Sequence, residues 1–396
     1  MDFGDTPEEA AFRAEAHAFL LRHARLREPG EESVGFLADT DPDVEAEHIA
    51  AAKAWQATLY REGWAGVTWP KENGGRGGST VEALVFAQEV ARFDVPRTIF
   101  VQGIGMAGPT LIAHGTEAQK ARFLPPMLEG TEVWCQLFSE PGAGSDLASL
   151  RTSAVRDGDE LVVNGQKVWT SSAHFSDWGI LLVRTDPDAP KHKGITYVLV
   201  DMRTPGVEVR PIRQINGASH FSEVFLTDVR VPLANVVGQV DQGWGVAMTT
   251  LTSERIGIGS GNVDPLRPLI ELVRAAGRQD DPVVRQELAR IHTRLQVITY
   301  MGLRVQTALS QGQAPGPESS VLKLAYSTYC AALADFALAV LGADALLFDY
   351  GAPGEAPWQG VLLTQWAVRL GGGTEQVQRN IIGERVLGLP REPRPT

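Results

Sequence analysis

Trp134-Cys-Gln-Leu-Phe-Ser-Glu-Pro-Gly-Ala-Gly-Ser-Asp146 is followed further on by Val168-Trp-Thr-Ser-Ser172 and, near the C-terminus, by Gly371-Gly-Gly-Thr-Glu-Gln-Val-Gln-Arg-Asn380. The first stretch joins a turn-forming Pro141, Gly142 and Gly144 to several polar side chains. Such a loop brings backbone N–H groups and hydroxyls up to a bulky anionic ligand, because glycine lacks the Cβ that would block approach. The character of the chain differs on either side of it. Up to about Leu128 the periodicity is helical: Phe12, Ala16, Phe19 and Leu20 share one face, and residues 81–93 repeat the pattern through Leu84, Val85, Gln88 and Val90. Residues 69–78 read as a loop. Residues 160–169 read as a hairpin turning at Asn164-Gly165. Further strand-like runs at 179–184, 195–201, 207–211 and 223–231 imply a compact β domain over residues 133–235. Helical periodicity returns near Gly243 and lasts almost to the end, with 311–317 as an inter-helix loop. The glycine stretches at 74–78 and 257–261 do not lead from a strand into a helix, so no βαβ nucleotide fingerprint is present.

A chain of 396 residues is long for one core and suggests two or three packed domains. A net charge of −12 argues against nucleic acid, whose phosphates it would repel, yet leaves room for a small anion at a local basic cluster. Cys135 and Cys330 have no metal-ligand spacing and suit a reducing compartment. The acidic start, with Asp2, Asp5, Glu8 and Glu9, is unlike a secretory or mitochondrial signal. The apolar run 331–348 is interrupted by Asp335 and Asp344 and reads as a buried helix rather than a membrane span. A cytoplasmic protein with no membrane insertion is expected.

The three motifs, in this order, resemble the acyl-CoA dehydrogenase family of flavoenzymes, and the resemblance runs from about residue 6 to 392. It implies an α+β fold with an N-terminal helical domain (1–132), a central β domain (133–235) and a C-terminal helical bundle (236–396). It also implies FAD, bound between the β domain and the C-terminal helices, with part of the site supplied by a neighbouring subunit. Residue by residue, the implied flavin contacts are Gln136, Phe138, Ser139, Gly144, Ser145, Trp169 and Ser171, with Trp169 covering one ring face. Thr374 and Gln376 match positions near the flavin. Arg278, Gln286 and Gly342 match the region that holds the pyrophosphate and adenosine of the neighbour's cofactor, although the spacing from Arg278 to Gln286 is shorter than in the best-known members. Taken singly, Trp169 would also suit a core, Ser139 and Ser145 a turn, and Gln376 a solvated face.

The chemistry this implies is α,β-dehydrogenation of an acyl-CoA thioester: a base removes the Cα proton while flavin takes a hydride from Cβ. An apolar pocket suits a carboxylate base by raising its pKa above about 4.3. Many members carry that glutamate before a Gly-Thr pair, where this chain has Gly372. Glycine cannot be a base, although its backbone N–H can still polarise the thioester oxygen. A subset of the family places the base on a central helix before an arginine, and Leu251-Thr-Ser-Glu-Arg-Ile-Gly257 matches that place. Glu254 is therefore the candidate base and Arg255 its supporting partner. The other formal charge in residues 243–261 is Arg255, which favours a half-buried Glu254 over a solvated one. Adjacent helix positions do not face each other, so the two need not neutralise one another. Glu140 and Asp146 read as turn-stabilising partners, Glu375 as pointing away from the flavin, and His114, His174 and His220 as structural or solvated. No metal-ligand cluster and no hydrolase elbow is present.

With no side chain at Gly371 or Gly372, a branched, cyclic or otherwise bulky acyl group is expected. Electrons would pass to an electron-transfer flavoprotein. A homotetramer or homodimer is expected, with a heterotetramer as the alternative. Two other readings compete: a flavin oxidase or monooxygenase of the same fold, and a flavin-binding subunit of a heteromeric dehydrogenase.

Overall fold

Three helix starts are written directly in the sequence. Thr6, Ser79 and Thr116 each accept a hydrogen bond from the backbone of the third helical residue, and the Glu9, Glu82 or Gln119 side chain there accepts one from the backbone N–H of the cap. The computed structural model describes residues 5–28, 42–258, 266–310, 316, 318–348 and 357–391. Most of the expected loop at 311–317, and residues 259–261 of the second glycine stretch, lie outside them. In chain order the N-terminal elements are α1 (Pro7–His23), β1 (Arg25–Leu26), α2 (Pro42–Arg61), α3 (Thr80–Val90), β2 (Phe93–Asp94), α4 (Gly108–His114) and α5 (Glu117–Glu129). The strands β3 (Trp134–Leu137), β4 (Ser153–Asp157), β5 (Glu160–Ser171), β6 (Trp178–Arg184), β7 (Ile195–Asp201), β8 (Val207–Ile212) and β9 (Phe221–Pro232) follow. The chain ends in α6 (Gly243–Ile258), α7 (Leu266–Ala275), α8 (Pro282–Ser310), α9 (Glu318–Leu341), α10 (Pro357–Leu370) and α11 (Glu375–Ile381).

These elements form two compact units, and the fold is α+β. The first takes its residues from 1–40, 79–95 and 255–396. Its core gathers Leu269, Ile291, Tyr329, Leu333 and Trp358 around α9, which packs on α8, α10 and α11. By length and composition alone the stretch Ser319–Leu346 could cross a membrane; within this unit α9 packs on α8, α10 and α11, and 28 % of its apolar window is buried. Glu89, buried in the same unit, is held by Arg13 (3.2 Å), His17 (2.9 Å) and Arg92 (3.0 Å). Burial would raise its carboxyl, but those three partners outweigh it and hold the group below its ordinary range. The expected helix over 81–93 ends at Val90. Phe93, fully buried, pairs instead with Leu26 in the short β1–β2 ladder.

The second unit takes its residues from 41–78 and 96–254 and contains a seven-stranded mixed sheet. β6 carries β7 antiparallel along its length, and also pairs in parallel with β3 and, at Arg184, with β4. The order then runs β4, β5, β9, β8, all antiparallel. The hairpin turn is not at Asn164-Gly165, because β5 runs straight through that pair. Gly158, at φ 61°, makes the two-residue turn with Asp159 instead. Asn164 is used for a different purpose. It exchanges hydrogen bonds of 2.9 and 3.0 Å with Asp228, whose φ of 51° marks a bulge in β9. Gly165 is needed for close approach, since a Cβ there would stand 2.5 Å from Thr152 Oγ1 and 2.7 Å from its Cα.

One ion pair ties β5 to the segment leaving β3. Lys167, fully buried, reaches Glu140 Oε1 at 2.8 Å and the Phe138 carbonyl at 3.1 Å. Glu140 also accepts from the Arg151 and Thr152 N–H groups at 2.6 and 2.9 Å. Burial pushes the Lys167 ammonium down to about 8 against the pull of Glu140. Burial would likewise raise Glu140, yet the Lys167 charge and these hydrogen bonds keep its carboxyl below the ordinary range.

Gly165→Ala should lower stability by about 1–3 kcal/mol through overpacking. Gly142→Ala, where nothing stands within 4 Å of the added methyl, should stay within about 0.5 kcal/mol. Urea midpoints of the two variants check this pair. Lys167→Met or Glu140→Gln alone strands a buried partner and should cost about 3–5 kcal/mol in the same measurement. Because the folded Glu140 carboxyl lies below its ordinary 4.5, its contribution is complete above that pH and is lost as pH falls through the lower folded value. Acid unfolding of Glu140→Gln should therefore show a shallower pH dependence below about 4.5 than the unaltered chain.

Candidate active site

Within the second unit, the glycine loop leaves β3 under tight control. Glu140 and Ala143 exchange two backbone hydrogen bonds of 3.0 Å, closing a turn over Pro141 and Gly142. Asp146 ends the loop, bound by Lys191 at 2.8 and 2.9 Å and by the Ser149 hydroxyl at 2.6 Å. Those bonds, led by the one from Lys191, hold the Asp146 carboxyl below its usual range. Glu140 and Asp146 thus stabilise the turn, as their flanking positions suggest. Of the expected ligand residues here, Gln136 and Ser139 are half-buried, Phe138 is buried, and Gly144 and Ser145 are exposed. Nothing of the protein stands within 4 Å of where a Cβ on Gly142 or Gly144 would be, so both face open space.

The loop is joined to Trp169 by backbone. Val168 donates to the Ser139 carbonyl at 3.0 Å, one residue after the buried Lys167. Between Lys167 and Thr170 the ladder with β9 slips by one residue, and Trp169 takes a φ of 62°. This bulge turns the indole out of the sheet. Trp169 is 60 % exposed, edge-on to Phe221 at 6.0 Å, and is not a core residue. Ser171 is half-buried, and Ser172, at φ 59°, starts the next turn. Of the four described non-glycine residues with positive φ, two lie in this corner. Strained backbone concentrated beside an exposed aromatic is the pattern of a ligand-facing surface.

α6 carries the candidate base. Glu254 is half-buried and sits one helical turn beyond Thr250, a fully buried residue. The Arg255 side chain lies outside the described residues.

In the first unit, α10 ends at a glycine turn with φ 63° at Gly372 and 94° at Gly373. Thr374 then caps α11 by accepting from the Val377 N–H at 3.2 Å. The turn's carbonyls are taken from inside. Lys323 Nζ binds the Gly373 oxygen at 2.7 Å and Gln378 Nε2 the Gly372 oxygen at 3.0 Å. The Gly372 N–H has no acceptor among the described residues. Glu375 is paired with Arg369 at 2.6 Å, while Gln376, next to it, is exposed. Arg278 binds the Ala339 carbonyl near the end of α9 at 3.1 Å, which brings it to Gly342, the φ 63° residue closing that helix. Its other arm holds Asp281, the cap of α8, and Gln286 lies exposed on the next turn.

Lys167, Lys323 and Gln378 hold these loops, and the sequence reading passed over all three. For Lys323 the available signal was a lysine set in an apolar run, Val321-Leu-Lys-Leu324, whereas Gln378 lies within the third motif itself. Among the described residues no group of acidic, histidine or cysteine side chains has the arrangement to hold a metal. An open glycine turn, half-buried hydroxyls and an out-turned indole form a donor set that fits a flavin ring and its anionic tail.

Comparison with known proteins agrees along the whole length. The chain matches the acyl-CoA dehydrogenase N-terminal domain over residues 6–131, the middle domain over 135–229 and the C-terminal domain over 241–387. It is 43 % identical to the acyl-CoA dehydrogenase IpdE1 of Mycobacterium tuberculosis, over 89 % of this chain and 91 % of that one. Among solved structures it is similar to the Tcur3481-Tcur3483 steroid ACAD, with a TM-score of 0.81 and 32 % identity, covering 99 % of this chain and 100 % of that one. It is also similar to the ChsE4-ChsE5 complex from Mycobacterium tuberculosis, with a TM-score of 0.79 and 31 % identity, covering 99 % and 100 %. The chain belongs to the acyl-CoA dehydrogenase family, whose members are flavoproteins generally using FAD, and is an oxidoreductase that acts on acyl-CoA.

Proposed function

We propose that this protein binds FAD and desaturates the α,β bond of an acyl-CoA carrying a bulky, ring-bearing acyl group. The observation that carries the reading is the bulge in β5, which holds the Trp169 indole outward at a left-handed backbone angle beside Ser171 and the glycine turn. Gln136, Phe138, Ser139, Gly144, Ser145, Trp169 and Ser171 are the assigned flavin contacts of this unit. Thr374 and Gln376 are those of the other, and Arg278, Gln286 and Gly342 are assigned to the cofactor of a neighbouring subunit. Bound flavin would supply the acceptor for the hydride that leaves Cβ. Glu254 takes the Cα proton, and its half-buried place on α6 suits a base. Arg255 supports it. The free N–H of Gly372 is assigned to the thioester oxygen, on which negative charge grows as the proton leaves. An electron-transfer flavoprotein is the assigned acceptor of the electrons.

The bulky acyl group rests on two supports. Gly371 and Gly372 leave space where a side chain would stand, and a solved structure covering 99 % of this chain is called a steroid ACAD. A second reading concerns assembly. Two of the similar structures carry the names of two proteins each, which favours a heteromer with a homologous subunit over a homodimer or homotetramer.

Anaerobic mixing of the purified protein with straight, branched and ring-bearing acyl-CoA esters, followed by flavin absorbance, tests the reading. Bleaching is expected with the ring-bearing esters, and a marked preference for butyryl-CoA would refute the bulky pocket. Rapid reoxidation of the reduced flavin by air would shift the protein to the oxygen-using flavoenzymes. Flavin retained only on co-expression with a homologous subunit would support the heteromer. Glu254→Gln should keep its flavin and lose bleaching by at least about a thousandfold, within the span of general-base effects. Undiminished bleaching would exclude Glu254 as the base.

A further inference from the structure

Three fully buried hydroxyls lie in line between α6, β7 and α4 in the second unit: Tyr197, Thr250 and Thr110. Tyr197 Oη is 3.2 Å from Thr250 Oγ1, Thr250 Oγ1 is 2.8 Å from Thr110 Oγ1, and Thr110 Oγ1 is 2.8 Å from the Met106 carbonyl. One proton order gives every hydroxyl in the line an acceptor: Tyr197 donates to Thr250, Thr250 to Thr110, and Thr110 to the carbonyl. Burial keeps the tyrosine protonated well above its usual range, so it stays a donor. A line of buried hydroxyls that is fully satisfied is rigid and resists rearrangement.

The line lies beside the helix that carries the candidate base and beside the segment that carries expected flavin contacts. Thr250 and Glu254 are four residues apart on α6, on one face and about 6 Å apart along its axis. α6 meets β7 a second time at Gly243, where a Cβ would lie 2.4 Å from the Tyr197 nitrogen. Contact at Gly243 and at Thr250 fixes both the rotation and the height of the helix. On its other side the Tyr197 ring stands edge-on to Phe138, 6.0 Å away at 86°, in the segment that leaves β3 for the glycine turn. Desaturation removes a proton and a hydride from adjacent carbons, so base and hydride acceptor must each be aimed at one of two atoms a single C–C bond apart.

We propose that Tyr197, acting through Thr250 and Thr110, is a positioning residue that sets the height and rotation of α6, and with it Glu254, relative to the Phe138 segment. The assignment rests on Glu254 being the base. Tyr197→Phe keeps the ring against Phe138 and removes the donor. Thr250→Val keeps the shape and removes the link, and Thr250→Ser restores the hydroxyl.

Each variant is compared as the FAD-loaded protein, using the ester that bleaches the unaltered enzyme. The readouts are flavin absorption, melting temperature, kcat, KM and the pH profile of kcat/KM. Tyr197→Phe and Thr250→Val should keep the flavin spectrum and KM while kcat falls about ten- to a hundredfold, the scale of a misplacement of about 1 Å. The acid limb of the profile should move, and Thr250→Ser should recover most of the rate. Unaltered kcat and pH profile in both Tyr197→Phe and Thr250→Val, or a Thr250→Ser as slow as Thr250→Val, would overturn the assignment. Rates that fall only in proportion to lost folded protein, at unchanged pH profile, would overturn it equally. Glu254→Gln run alongside separates the two claims: full turnover there removes the base itself, whereas an inactive Glu254→Gln beside a normal Tyr197→Phe removes only the positioning role.

Discussion

The second unit depends on a lysine that has no contact with solvent. Desolvating the Lys167 ammonium opposes folding, and the depressed pKa reflects that cost. The position nevertheless makes sense, because Lys167 neutralises Glu140 at the point where the chain leaves the sheet. Glu140 gathers two backbone N–H groups from residues 151 and 152 as well, so one carboxylate joins the glycine turn, the start of β4 and the middle of β5. An apolar pair of the same volume could fill the space, but it could not satisfy those N–H groups or the Phe138 carbonyl. The pair therefore acts through geometry. It fixes where the glycine turn stands relative to the bulge that follows one residue later and turns Trp169 outward.

Much of the fold was legible because its signals are local. The strand at 195–201 was read to the residue, and its neighbours to within two, since each is a β-rich run bounded by turn residues. The helix caps at Thr6, Ser79 and Thr116 could be read as well, being three-residue patterns. The misread hairpin shows where such reasoning stops. Asn164-Gly165 and Gly158-Asp159 both read as two-residue turn dipeptides. The choice between them was made by Thr152, which leaves no room for a Cβ at 165, and by Asp228, which claims the Asn164 side chain. Both are non-local partners, invisible to a window of ten residues. Phe93 was misread for the same reason: its strand pairing with Leu26, 67 residues away in sequence, outweighs the helical period that leads up to it.

The candidate site divides along the same line. The motif residues were found because they are consecutive. The residues that hold them in place were not, because Lys167, Lys323 and Tyr197 are each distant in sequence from the loop they support, and Gln378, although inside the third motif, carries no local sign that its amide turns back to the Gly372 carbonyl. Lys323 is fifty residues from the Gly373 carbonyl it binds, and Thr250 is 140 residues from Thr110. A lysine or tyrosine within an apolar run signals burial, but not which loop it serves.

The glycine turn after α10 bears on where a base can stand. Gly372 and Gly373 are both left-handed, at φ 63° and 94°, and a Cβ on Gly373 would meet the Gln378 amide at 2.6 Å. A glutamate at 372 would take up that backbone at a cost of about 1–2 kcal/mol, without the room glycine leaves beside it. Its loss leaves an N–H with no acceptor and an open surface, but no proton acceptor. A carboxylate on α6 has the opposite properties. Its backbone is ordinary helix, its height is set by buried hydroxyls one turn below, and its position does not depend on a left-handed turn. The chain thus places left-handed backbone at the glycine turn and at the Trp169 corner, and leaves the proposed proton acceptor on a regular helix.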